Sequence, residues 1–267
     1  MTSALGIFGL AMAVLFAGVL IGATGIGGVL LVPILAYLGD IPVHLAVASC
    51  NFSYLFTGLV GAAFYARKGS ISWGAGLWLG IGAMPGAYLG AFALAHLPTR
   101  AIEAIIAALI VFSGIHTIVR DQNRQATRPG GGATFIARGV KPARATLAPA
   151  LLVGIGAVVG IASAVSGTGG PLVLVPILIW LELPVLVVIG LGQIIMVPIA
   201  LLATAGNLIH GRVDFVLGGI LAAILIVGAL IGAELGHRMP ADLLKRSVAA
   251  ILIGVGLLIL ARLGFGA

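Results

Sequence analysis

Charge is what this 267-residue chain has least of. Charged residues make up 8% of it, about a third of the share in an ordinary soluble domain, which excludes a water-exposed globular surface. The single cysteine, Cys50, rules out an intrachain disulfide and leaves a free buried thiol as the expectation. The net charge is +7, but the basic residues fall between apolar segments and are not interleaved with aromatics along one face, so no nucleic-acid partner is expected. No HExxH, GxSxG or paired-carboxylate pattern occurs, and one cysteine with scattered histidines makes no metal site. The chain therefore reads as neither an enzyme nor a cofactor carrier. Gly154, Gly156 and Gly160 lack the strand and spacing of a dinucleotide fingerprint. The alternation of a membrane β-barrel is missing too, since stretches such as Ala104 to Ile115 are apolar on almost every side.

What the chain has is apolar surface. It is 61% hydrophobic with a mean hydropathy of +1.26, and its apolar runs repeatedly reach the ~20 residues that cross a bilayer. These features predict an all-α polytopic membrane protein, with lipid as its surroundings. Eight apolar blocks stand out, at about 5–38, 42–66, 71–97, 101–119, 147–180, 184–209, 214–236 and 241–261. No basic region precedes the first of them at Met1 to Ala4, so that segment is expected to be retained. Between the fourth and fifth lies a polar linker, 120–146, with Arg120, Arg124, Arg128, Arg138, Lys141 and Arg144. It separates repeat 1–119 from repeat 147–267, and its basic charge predicts a cytoplasmic location.

The halves are related. At an offset of 142, Gly18/Gly160, Gly25/Gly167, Gly27/Gly169, Gly28/Gly170, Gly69/Gly211, Gly76/Gly218, Gly86/Gly228 and Gly90/Gly232 coincide, as do Pro42/Pro184 and Pro98/Pro240. Chance would align about two of these eight glycines, so the sequence implies an internal duplication. Such repeats are characteristic of transporters. If each 34-residue first block crosses once, the 14 basic residues divide 10 to 4 between the two faces; if each folds back, they divide 11 to 3. The second arrangement, which makes the repeats inverted, is favoured; across the two arrangements the chain has 8 to 10 membrane segments.

Two dense glycine clusters interrupt these first blocks. One reads Thr24-Gly25-Ile26-Gly27-Gly28 with Pro33 beyond; the other reads Ser166-Gly167-Thr168-Gly169-Gly170-Pro171 with Pro176 beyond. Each glycine costs a helix about 1 kcal/mol and an interior proline about 3, so the helix should break in both places. Broken backbone at membrane depth is tolerated only where protein or a cavity satisfies it. A helix that restarts there aims free N–H groups at its surroundings, which suits an anion. The ladders Gly82/Gly86/Gly90 and Gly228/Gly232/Gly236, by contrast, read as close-packing faces. Asn51 and Gln193 coincide at the same offset and are read either as substrate donors or as ties between helices. Ionisable residues keep to block ends, Glu234 and Arg238 reading as an interfacial pair, which gives no buried proton relay.

Two halves, each with a glycine cluster, a Val-Pro (Val32-Pro33, Val175-Pro176) and then Pro42 or Pro184 ahead of a second helix, resemble the TauE/SafE sulfite exporter family of anion permeases. The resemblance implies a multi-pass carrier of the bacterial inner (plasma) membrane for a small sulfur-containing oxyanion such as sulfite or an organosulfonate, with both glycine clusters on its pathway. Here the first cluster is one residue shorter before Pro33 than is common in the family. A passive anion channel is the competing reading, and a membrane enzyme a more distant one.

Overall fold

A computed structural model of the chain describes residues 4–111, 148–181, 183 and 185–238. All the regular structure among them is helical. In chain order the elements are α1 (Ala4–Thr24), α2 (Gly27–Leu38), α3 (Val43–Arg67), α4 (Trp73–His96), α5 (99–111), α6 (Pro149–Ser166), α7 (Pro171–Trp180), α8 (Val185–His210) and α9 (Phe215–Arg238). They match the expected blocks, with the first and fifth each split in two. Linker 120–146, block 241–261, Glu182, Pro184 and the side chain of Arg238 lie outside the described residues, so the proposed pairing of Glu234 with Arg238 does too.

Six of these helices are long and apolar enough to cross a membrane. Their outer faces carry exposed Phe8, Phe16, Leu77, Leu89, Val216 and Ile231, with Trp73, Trp180 and Phe215 at helix ends, the distribution of a lipid-facing surface with an interfacial aromatic belt. None of the buried polar residues is charged among those described.

Local chemistry accounts for several boundaries. Asp214 Oδ1 accepts the N–H groups of Val216 (3.0 Å) and Leu217 (2.9 Å), capping the start of α9. Pro149 occupies the first turn of α6, where its missing N–H costs nothing. Gly167 ends α6 in the left-handed region (φ 64°), open to glycine without strain.

Glycines set which helices approach and in which direction. Gly82, Gly86 and Gly90 of α4 abut the main chain of Val153, Ala157 and Ile161 of α6, so these two helices run parallel. Gly228 and Gly232 of α9 meet Leu15 and Val19 of α1 in the same sense. Gly76 of α4 faces Leu191 and Ile194 of α8 while Gly206 of α8 faces Tyr88 and Ala91, again parallel. Gly218 of α9 faces Ser49 and Phe52 of α3, and Ala233 packs beside Tyr65. By contrast, α3 and α8 run antiparallel: Gly58 faces Met196 and Val197, whereas Gly61 faces Gln193. In hydrocarbon such close backbone approach supplies the van der Waals contact that replaces the hydrophobic drive.

A central row α4, α8, α3, α9 results, with α6 packed on α4 and α1 on α9. Since α1 and α3 run the same way, α2 carries the chain back between them, and α7 does the same between α6 and α8.

Candidate functional site

Both glycine clusters lie where the chain turns back, and the fold interleaves them. A Cβ on Gly25 (φ 78°) would lie 3.4 Å from Pro171 and 3.8 Å from Val175; one on Gly167 would meet Val32 at 2.9 Å and Val47 at 3.1 Å. Gly28 faces the Thr168 carbonyl oxygen, 2.7 Å from its Cβ position. Thr24, Gly25, Gly27, Gly28, Asn51, Ser166, Gly167, Thr168, Gly169, Gly170 and Gln193 are all buried, and Thr24 is the most exposed of the named polar ones at 8%. Every expected site residue therefore sits in one occluded centre, or on the helices that wall it.

The two breaks differ in form. In the first, Gly27–Leu30 is a 3-10 turn that tightens into α2, whose last turns, Ile34–Leu38, widen to a π-helix. In the second, Gly167, Gly169 and Gly170 all have positive φ (64°, 79° and 110°) before α7 begins at Pro171.

Side-chain hydroxyls stitch the breaks. Thr24 Oγ1 donates to the Leu20 carbonyl (2.8 Å) and accepts from Ile26 N–H (3.3 Å). Ser166 Oγ donates to Ala162 O (2.6 Å) and lies 3.0 Å from Thr168 Oγ1. The carboxamides face the breaks from opposite halves: Asn51 Nδ2 donates to Ala164 O (3.2 Å) and Gln193 Nε2 to Ile21 O (3.2 Å). Each ties the second long helix of one half to the last turns before the break of the other. One hydrogen of each NH2 is thereby committed and one remains. Asn51 Oδ1 and Gln193 Oε1 have no hydrogen-bond partner among the described residues, the latter lying against Gly61.

Two tyrosines belong to this centre and carry no signal in the repeat comparison. Tyr54 Oη donates to Gly28 O (2.8 Å) and Tyr65 Oη to Gly22 O (2.9 Å), clamping the first break on both sides. At the offset of 142 their mates are Met196 and Asn207, neither of which offers a hydroxyl. Tyr54 also lays its ring against Gly169, 3.1 Å from the Cβ position, with Met196 Cε opposite at 3.2 Å. Among the described residues no group of three His, Cys, Asp or Glu side chains could hold a metal. A cleft of about 360 Å³ opens where α2, α3 and α5 meet, but its ionisable lining is Asp40, His44 and Glu103, with no lysine or arginine to attract an anion.

Against known proteins, the family model described as sulfite exporter TauE/SafE matches residues 10–259. The chain is 30% identical over 266 residues to a protein of Bacillus subtilis (strain 168) named "Probable membrane transporter protein YjnA", covering 91% of this chain and 95% of that protein. It is 23% identical over 236 residues to "Probable membrane transporter protein YunE" of the same organism, covering 85% of each. No solved structure matches. With the glycine breaks packed at the centre of a lipid-faced helical bundle and a family match over nearly the whole length, the chain is a multi-pass membrane protein that belongs to the TauE/SafE sulfite exporter family of membrane transporters.

Proposed function

We propose that the protein is a secondary carrier for a small sulfur-containing oxyanion such as sulfite or an organosulfonate, built from inverted repeats 1–119 and 147–267 joined by a cytoplasmic linker at 120–146. The observation that carries this reading is the meeting of the two glycine breaks in a buried centre without a cation among the described residues, where main-chain N–H groups are the available donors. A hydrogen bond to a charged group contributes about 1.5–3 kcal/mol, so a few such donors can replace the water of a small anion. Thr24, Gly25, Gly27, Gly28, Ser166, Gly167, Thr168, Gly169 and Gly170 line the proposed pathway, with Asn51 and Gln193 walling it from opposite halves. Sulfite loaded into proteoliposomes should exchange with external sulfite by saturable counterflow. Flux that rises without saturation would mean a channel, and absence of sulfite and sulfonate flux would overturn the substrate class.

Inversion is supported by the exchanged contacts. Gly76 touches Leu191 and Ile194, and its mate Gly218 touches their mates Ser49 and Phe52. Gly86 and Gly90 meet Ala157 and Ile161, and Gly228 and Gly232 meet Leu15 and Val19. Helices α3 and α8 are mates that run antiparallel, which requires the axis relating the halves to lie across the helices. On this reading α1 begins on the face opposite the Arg67-Lys68 turn, which the basic charge places inside the cell. A reporter fused to the N-terminus and active only outside the cytoplasm should be active; an inactive fusion at normal expression overturns the orientation.

A further inference from the structure

We infer that the two breaks have different tasks: the second forms the oxyanion subsite, with the Ser163 hydroxyl as a substrate contact, while the first is a fixed wall. This rests on the anion-carrier reading above. Ser163 is fully buried one turn before the end of α6, and its Oγ has no hydrogen-bond partner among the described residues. A serine in a helix ordinarily satisfies itself on a carbonyl of the preceding turn, as Ser166 does on Ala162. The Ser163 hydroxyl lies 3.9 Å from the Cβ position of Gly170, toward the N-terminus of the ten-residue helix α7.

The same stretch of chain holds main-chain donors without a backbone acceptor among the described residues. The N–H groups of Gly167 and Thr168 are taken by Ser163 O, and those of Val173 and Leu174 by Gly170 O. Those of Gly169, Gly170 and Leu172 engage no backbone carbonyl among the described residues, and the positive end of α7 adds its dipole.

What surrounds each break decides which one can open. The Cβ position of Gly170 is bounded by side-chain atoms alone: Ile199 Cδ1 (3.0 Å), a terminal methyl that can turn about χ2, Ser163 Oγ (3.9 Å), and Ile195 Cγ2 (3.5 Å), which the helical χ1 of a β-branched residue holds in place. The Cβ position of Gly27 meets Ala17 O and Ile21 N at 2.5 Å, and that of Gly28 meets Thr168 O at 2.7 Å. Those are main-chain atoms, and the hydroxyls of Tyr54 and Tyr65 hold the first break further in place. Side-chain atoms bound Gly170 where main chain bounds Gly27, and on that difference the anion is assigned to the side of Gly170. Ile195 and Ile199 would keep water from it.

Sulfite binding and sulfite counterflow measured on purified Ser163→Ala, Ser163→Thr and Tyr54→Phe, beside the unmodified protein, test this. Ser163→Ala should bind sulfite about tenfold more weakly or worse, the loss of one hydrogen bond to a charged group. Its melting temperature should be unchanged or higher, because the lost hydroxyl had no partner. Ser163→Thr, which keeps the hydroxyl, should retain most of the affinity. Tyr54→Phe should melt earlier with sulfite affinity within about twofold of the unmodified protein. Normal sulfite affinity in Ser163→Ala, or a tenfold loss in a folded Tyr54→Phe, overturns the division of tasks while leaving the carrier reading standing. If the unmodified protein neither binds nor exchanges sulfite, the carrier reading itself fails, and the subsite falls with it.

Discussion

Leucine at Gly82 should leave no folded protein to assay. The Cβ of any residue there would overlap the Val153 carbonyl of α6, and the obstacle is main chain on a neighbouring helix. Overpacked cores usually lose about 1–3 kcal/mol because side chains and backbone give way. Here α4 and α6 would have to separate along the whole Gly82, Gly86 and Gly90 ladder, so the loss should reach or exceed the upper end of that range. Total stabilities are commonly about 5–15 kcal/mol, and a monodisperse peak in detergent should disappear or its melting temperature fall by tens of degrees. Gly154, on the facing helix with nothing within 4 Å of its Cβ position, is the internal control. Alanine there should be neutral or slightly stabilising, since alanine favours helix over glycine by up to about 1 kcal/mol. A Gly82→Leu protein that melts like the unmodified one would mean that α4 and α6 do not pack as described.

Valine at Gly169 should give the opposite pattern: a protein that inserts and folds but transports about a hundredfold more slowly or not at all. Its backbone sits at φ 79°, where a non-glycine residue costs on the order of 1–3 kcal/mol, a tolerable fraction of the whole. The nearest atoms to a side chain are the Met196 methyl, the end of a flexible side chain, and the Tyr54 ring, which its bond to Gly28 holds in place. The new methyls would occupy the space between the breaks through which the anion is proposed to pass. The same substitution at Gly27 would be uninformative, because its Cβ would drive into the α1 backbone at Ala17 and Ile21, confusing lost folding with lost transport. Counterflow together with a detergent melting curve reads both quantities; substantial flux in a folded Gly169→Val protein would remove the second break from the pathway.

The sequence was most legible where one physical signal dominates. Apolar length alone marked the blocks, and α1, α3, α4, α6, α8 and α9 fall within them. Two glycine clusters marked the breaks, since glycine and proline disfavour helix whatever surrounds them. The residues missed are those whose role depends on a partner distant in the chain. Tyr54 and Tyr65 read as apolar bulk in a membrane helix until their hydroxyls meet Gly28 and Gly22. Ser163 looks like any helical serine until its hydroxyl proves to be unpartnered beside Gly170. Asn51 and Gln193 were marked as a pair by spacing, yet which carbonyl each would reach, Ala164 or Ile21, depends on how one half meets the other.

By itself, then, the sequence determined that the chain lives in a membrane, where its helices run and where two of them break, because hydropathy, glycine and proline act locally through solvation and backbone sterics. The tertiary structure alone decided that α2 and α7 turn back, since an apolar block of 34 residues is compatible with one long crossing or a fold-back until its neighbours fix its direction. It also decided which glycines serve packing and which serve the breaks. Gly82 and Gly169 are the same residue type, but Gly82 sits in a helix against a neighbouring main chain, whereas Gly169 sits at φ 79° against the side chains of Tyr54 and Met196.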